Sequence, residues 1–267
     1  MKVQGSVAVV TGASRGIGEA TARALHERGA SVGLIARSRA DLDELAATLG
    51  SRVAVATADV GDEHEIEQAI TSVTTELGPP DILVNNAGIG AYAAMLDEDP
   101  ETFERLMRVN YLGTVHATLA VLPGMAERRR GHIVNVASVA GKLGAPFEAA
   151  YSASKFAVVG LSESLAAEMQ AFDVHVSLVN PGPVRTHFTE ARGVPFQRDV
   201  PKPVTPERIA DAIVAAIERD LFEQTIPKWL RIGSVARAIV PNLYRSGLLR
   251  DSAKEADAFA RRFEEQR

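Results

Sequence analysis

The sequence predicts a single α/β domain built on a doubly wound parallel β-sheet flanked by helices, followed by a C-terminal extension. Three observations point to it. Short, nearly all-apolar runs rich in β-branched residues recur along the first 180 positions, as strands buried on both faces of a parallel sheet must be. Longer amphipathic stretches of helical length alternate with them. A glycine-rich segment joins the first run to the first amphipathic stretch, at the kind of strand-to-helix turn where open α/β sheets bind ligands.

Taken in order, the run 7–11 reads as a strand and leads through the glycines into a helix over 17–28, stopped by Gly29. A strand over 31–36 precedes a helix over 40–49 ended by Gly50. The pattern repeats with strands at 53–58, 82–85, 132–136 and 174–179 and helices at 63–77, 101–128 and 151–172. A helix over 206–219 and a short strand near 222–226 close the sheet. No tandem repeat, low-complexity tract or linker divides the first 220 or so residues. Residues 1–227 are therefore expected to form one domain and 228–267 an extension.

Composition narrows the chemistry. A chain of 267 residues, 46% hydrophobic, is long enough for one large core. Its net charge of -5 gives no reason to expect a nucleic-acid partner, so small molecules are the expected ligands. With no cysteine there is no thiolate nucleophile or Cys-ligated zinc, and the six histidines lack ligand spacing, so no metal is expected. The apolar run 7–10 is too short for a signal-peptide core and nothing reaches a spanning length, which reads as a cytoplasmic protein.

The turn reads Thr11-Gly12-Ala13-Ser14-Arg15-Gly16-Ile17-Gly18. Three glycines allow a tight bend, close backbone approach to a pyrophosphate and close helix-strand packing, while free helix N–H groups face the anion. After the second strand the chain reads Ala36-Arg37-Ser38-Arg39, with no carboxylate before Asp41 to accept hydrogen bonds from a ribose diol. Arg37, with Arg15 from the turn, instead offers guanidinium forks to a 2′-phosphate. The expected cofactor is NADP(H). Further on, Tyr151 and Lys155 stand four residues apart, on one face of the helix, where an ammonium beside a phenol favours the ionised form. That pair is suited to proton transfer.

In this order the motifs resemble those of the short-chain dehydrogenase/reductase family over roughly residues 5–220: the glycine turn, Asp59-Val60, Asn85-Asn86-Ala87-Gly88, Asn110, Ser138, Tyr151/Lys155 and Asn180-Pro181-Gly182. The resemblance implies a Rossmann-type fold and a set of roles. Asp59 and Val60 would contact the adenine, Asn86, Ala87 and Gly88 would support the cofactor, and Val184 with Thr186, beyond Pro181 and Gly182, would hold the carboxamide. Lys155 would also hold the nicotinamide ribose, and Asn110 would position a relay water. The chemistry expected is hydride transfer between the nicotinamide and a carbonyl or secondary alcohol, with Tyr151 as acid or base and Ser138 donating to the substrate oxygen. Bringing a phenol from a pKa of ~10 towards neutrality takes roughly 4 kcal/mol, and an ammonium at ~5 Å supplies about 3 kcal/mol at an effective dielectric of ~20.

The substrate half is less explicit. Leu143, Ala145, Pro146 and Phe147 suggest an apolar wall, and residues 187–203 have the length and Gly/Pro content of a lid. Arg128-Arg129-Arg130 complements a helix C-terminus, though it would also suit an acidic carrier protein, as in the family's 3-oxoacyl carrier-protein reductases. Residues 228–250 carry five basic and no acidic residues interleaved with apolar ones. A pocket cover or subunit contact is favoured over a membrane surface, because Gly233, Pro241 and Gly247 interrupt a continuous helix. The helices at 101–128 and 151–172 resemble the pair that family dimers and tetramers pack together, so a homodimer or homotetramer is expected. The reading is an NADP(H)-dependent oxidoreductase acting on an apolar substrate. Its alternatives are a 3-oxoacyl-thioester reductase and a non-catalytic NADP(H)-binding regulatory module.

Overall fold

The computed structural model describes residues 1–186, 188 and 201–265. The apolar runs become seven strands: β1 (Val7–Thr11), β2 (Ser31–Ala36), β3 (Val53–Thr57), β4 (Ile82–Asn85), β5 (Gly131–Val136), β6 (Val174–Pro181) and β7 (Glu223–Ile226). They form one sheet in the order β3-β2-β1-β4-β5-β6-β7, parallel throughout. The helices are α1 (Gly16–Glu27), α2 (Arg39–Leu49), α3 (Glu63–Leu77), α4 (Pro100–Leu106), α5 (Gly113–Glu127), α6 (Ala149–Met169), α7 (Pro206–Arg219), α8 (Arg231–Ile239) and α9 (Pro241–Glu265). This is the doubly wound parallel sheet expected from the sequence.

Alternation along each strand sends neighbouring side chains to opposite faces. Val10 and Leu34 join Leu25 of α1, Leu42 of α2 and Ile209 of α7 in one core layer. Val9 and Ile35 join Ile66 of α3, Val121 of α5 and Leu165 of α6 in the other. The strand order reverses between β1 and β4, which lie side by side and parallel, and a crevice opens at their C-terminal ends.

A chain of buried polar side chains crosses the second layer. Asn85 donates to Thr118 Oγ1 at 3.1 Å and to Asn135 Oδ1 at 2.9 Å, and Asn135 donates to Ser162 Oγ at 2.9 Å. Asn85 and Asn135 are register partners on β4 and β5, so these bonds fix α5 and α6 against the centre of the sheet.

Two expectations are corrected. The stretch 101–128 is not one regular helix: α4 passes through a π-helical turn, Met107–Leu112, into α5. The wider turn rotates Asn110 fully inward. Gly113 lets α5 approach the loop after β3, since a Cβ there would stand 2.7 Å from Val60 Cγ2. In the extension, Pro241 does end one helix and open the next, at a first position where its missing N–H is harmless. Gly233 and Gly247 lie inside α8 and α9 and interrupt neither. At Gly233 the reason is packing: a Cβ would fall 2.8 Å from Leu143 Cδ1.

Candidate active site

The glycine turn is built by close approach. Gly12 and Gly16 adopt φ of +65° and +61°, in the left-handed region that side chains disfavour. A Cβ on Gly12 would meet Ala87 Cα at 2.9 Å, and one on Gly18 would collide with the Gly12 carbonyl oxygen. Thr11 fastens this turn to the end of β4: its Oγ1 accepts from Asn86 N at 3.0 Å and from Ala87 N at 3.1 Å. Asn86 Nδ2 returns bonds to Thr11 O and Gly12 O. Whereas α2, α3 and α4 are capped by Ser38, Asp62 and Asp99, α1 has no side-chain cap. Its first N–H groups are thus left for another acceptor.

Arg15 and Arg37 are exposed on the rim of the same cleft. Among the described residues neither is paired with a carboxylate, whereas Arg39 is engaged by Asp43 at 2.8 Å. Asp59 does not cap α3; its Oδ1 accepts from Gly61 N at 2.9 Å, shaping the loop that brings Val60 to the cleft wall.

Further along, the π turn brings Asn110 onto the loop after β4. Its Oδ1 accepts from Ile89 N at 2.8 Å, and its Nδ2 donates to Ile89 O and to Ser154 Oγ, each at 2.9 Å. Ser154, which sequence reasoning gave no role, in turn donates to Tyr151 O at 2.8 Å. The signal was present: a small hydroxyl residue three positions after Tyr151, facing the helix that carries Asn110.

Tyr151 and Lys155 do share a face of α6, with Nζ 6.0 Å from the centre of the phenol ring. The ammonium is buried and donates to Val136 O at the end of β5, at 3.0 Å. Burial alone lowers its pKa to about 8. Ser138 Oγ accepts from Ala140 N at 3.1 Å, opening a short 3-10 turn, and among the described residues its own O–H has no acceptor and is available to donate.

Pro181, at the end of β6, and Gly182, Val184 and Thr186 beyond it line the cleft. Val184 pairs with Val204 in an isolated bridge, so the chain on either side of the predicted lid is tied together. Residues 187 and 189–200 of that lid lie outside the described residues. Phe188 packs its ring 5.6 Å from that of Tyr151. Arg128 and Arg130 are engaged within the chain, with Pro80 O at 2.7 Å and Asp81 at 2.9 Å.

The cleft measures about 2010 Å³ and reaches from Gly12 and Arg37 past Ser138 and Tyr151 to the extension. Its far wall combines Leu143 and Phe147, read from the sequence as an apolar wall, with Tyr244 and Leu248 of α9, from the segment read as a pocket cover or subunit contact. Among the contacts that hold the extension there, Arg237 donates to Lys142 O at 2.7 Å, Tyr92 to Glu255 at 3.1 Å and Arg262 to Asp97 at 2.7 Å.

A family model described as short chain dehydrogenase matches residues 6–194, well over half the chain. The chain belongs to that family. Among other members, the short-chain dehydrogenase "Dehydrogenase/reductase SDR family member 7B" of Bos taurus is 36% identical over 70% of this chain, a match spanning 60% of that protein's length. A 3-ketodihydrosphingosine reductase of Bacteroides thetaiotaomicron is 38% identical, over 72% of this chain and 69% of the relative. Among solved structures, a family member from Burkholderia phymatum in complex with NAD superposes with a TM-score of 0.83 at 26% identity, covering 91% of this chain and 96% of that one. One from Burkholderia cenocepacia in complex with NADP gives 0.81 at 29%, covering 93% and 99%. Among the described residues no helix is long and apolar enough to cross a membrane.

Two outcomes follow from these contacts. Thr11→Val keeps the shape but leaves two backbone N–H groups without their acceptor, and should cost about 2 kcal/mol in urea unfolding. Lys155→Met should stabilise the ligand-free protein at pH 7. A shift from 10.5 to about 8 corresponds to roughly 3 kcal/mol, and loss of the bond to Val136 O returns about 1 kcal/mol. The depressed lysine penalises the fold fully below pH 8 and progressively less as pH rises towards 10.5. The advantage of the methionine variant should therefore shrink across that window, as thermal denaturation at several pH values would show.

Proposed function

We propose that this chain is an NADP(H)-dependent oxidoreductase that interconverts an apolar ketone and its secondary alcohol, with Tyr151 as acid and base. The observation that carries the reading is the seating of the Tyr151 phenol beside the buried Lys155 ammonium, in a cleft that also exposes Ser138 and runs to the glycine turn.

The residues present fit a dinucleotide. Left-handed glycines let the turn lie close against Ala87 and Thr186 at the cleft wall, the first turn of α1 offers uncapped N–H groups, and the cleft is about twice the volume of a drug-sized pocket, which is at most ~1,000 Å³. When bound, the cofactor supplies or accepts the hydride. Arg15 and Arg37 support the phosphorylated form, since two unpaired guanidinium groups on one rim suit a dianion. Asp59, Val60, Asn86, Ala87, Gly88, Pro181, Gly182, Val184 and Thr186 line the cleft and complete the proposed cofactor contacts.

In reduction, the Tyr151 O–H gives its proton to the substrate oxygen as charge develops there, and Ser138 donates a second hydrogen bond to that oxygen. In oxidation, Tyr151 takes the alcohol proton. Lys155, protonated at neutral pH, favours the phenolate and keeps further N–H donors beyond the one given to Val136 O. Asn110 has both amide N–H groups occupied, so it serves as the clamp that holds the Ile89 loop and Ser154; a relay water would meet the one oxygen lone pair left beyond the bond from Ile89 N.

Leu143, Phe147 and Leu248 support an apolar substrate, and so does similarity to a relative named 3-ketodihydrosphingosine reductase. The acyl-carrier alternative is less favoured, because Arg128 and Arg130 are engaged within the chain and of the three arginines Arg129 is left to meet a carrier. A non-catalytic binding module would need no proton-transfer set of Tyr151, Lys155, Ser138 and Asn110. The exposed Leu112 and Leu119 on the π turn and α5 suit a homo-oligomer packed through these helices.

In a cofactor-oxidation assay against ketones, aldehydes and oxoacyl thioesters, lipophilic ketones should turn over fastest; tight NADPH binding without turnover on the whole panel would favour the binding module. Tyr151→Phe should lower kcat by about 10²- to 10⁴-fold with cofactor affinity changed only a few-fold; retained turnover would remove Tyr151 from its role. Arg37→Asp should weaken NADPH on the order of tenfold or more, with little effect on NADH; an unchanged ratio of the two dissociation constants would reject the preference for the phosphate.

A further inference from the structure

The helix α8 has two faces of the same character. Towards the protein, Gly233 packs on Leu143, and Ala236 and Val240 border the cleft. Away from it, Ile232, Val235 and Ile239, spaced i, i+3, i+7, form an apolar stripe facing solvent, with Ile232 68% and Ile239 72% exposed. Trp229, in the turn before α8, is also exposed. Leu243, at the start of α9, is exposed and yet borders the cleft, so apolar surface continues from the outside to the cleft mouth.

Charge selects what covers this stripe. Residues 228–250 hold five basic and no acidic residues, while the rest of the chain holds 24 basic and 34 acidic ones. Arg237 is turned to the body of the protein through Lys142 O, and a second copy packed through the outer face about a two-fold axis would still set the remaining cations of this segment against their own copies. A bilayer with anionic headgroups accepts both features at once, apolar side chains below the headgroups and cations at the phosphate level. The glycines that argued against a continuous amphipathic surface lie within helices and leave the stripe intact.

We propose that α8 and the first turns of α9 dock this protein on the surface of an anionic phospholipid bilayer, with Ile232, Val235 and Ile239 inserted and Arg231 and Arg245 at the headgroups. Docking places the cleft mouth at the membrane. If the catalytic reading above holds, a lipid substrate enters past Leu243 without crossing water. The docking itself does not rest on that reading.

The test is co-sedimentation of the full chain, without substrate, with vesicles of phosphatidylcholine alone or mixed with phosphatidylglycerol, at physiological salt. The protein should pellet with the mixed vesicles and stay in solution with the neutral ones. Ile232→Ser/Val235→Ser/Ile239→Ser should weaken partitioning about tenfold or more, with an unchanged melting temperature because the side chains are exposed. Arg231→Glu/Arg245→Glu should weaken it on mixed vesicles by a similar factor. Failure of the wild type to pellet with mixed vesicles, or wild-type partitioning by the triple serine variant, would overturn the proposal. So would a triple serine variant that sediments as a smaller oligomer than the wild type without lipid, since a second copy would then be the occupant. The readout needs no turnover, so it fails or succeeds independently of the assay for reduction.

Discussion

The site depends on one buried charge. Lys155 holds an ammonium at the junction of β5, α6 and the loop after β4, anchored to the Val136 carbonyl oxygen. Its surroundings are cut to fit. A Cβ on Gly88 would stand 3.4 Å from Nζ, and one on Gly141 would stand 2.6 Å from Lys155 O. Burial lowers the pKa to about 8, which still leaves the group charged at neutral pH. A charge held in low dielectric acts on a neighbouring phenol more strongly than the same charge in water. The destabilisation it imposes is therefore part of what makes the pair chemically useful.

Placing that charge is the task of the sheet. The reversal between β1 and β4 opens the crevice, and Thr11 and Asn86 stitch its two sides together at 3.0 Å. Beneath it the chain Thr118, Asn85, Asn135, Ser162 locks α5 and α6 to β4 and β5. Hydrogen bonds of this kind discriminate between registers that apolar packing would tolerate. The result is that Asn110, on the helical segment before α5, and Tyr151 with Lys155, on α6, meet at one end of the sheet.

The extension adds what the sheet lacks, a wall on the substrate side. Arg237, Glu255 and Arg262 hold it at three places along its length. Its apolar residues divide between the cleft and the outer surface, so the same two helices shape the pocket and leave a stripe uncovered.

The sequence by itself determined the parallel sheet, because strands buried on both faces must be apolar along their whole length, and their limits were legible to within about two residues. It also determined the glycine turn, whose backbone angles only glycine adopts readily, and the Tyr151/Lys155 pair, whose spacing places them together on any helix. These are local properties, set by residues near one another in the chain. Tertiary structure decided the π turn at Asn110, the bond from Asn110 to Ser154 across 44 positions and the buried pairing of Asn85 with Asn135. It decided likewise that Tyr244 and Leu248 face the same cleft as Arg37, two hundred residues away. No periodicity encodes such meetings, because they arise only when the strand order brings distant segments to the same edge of the sheet.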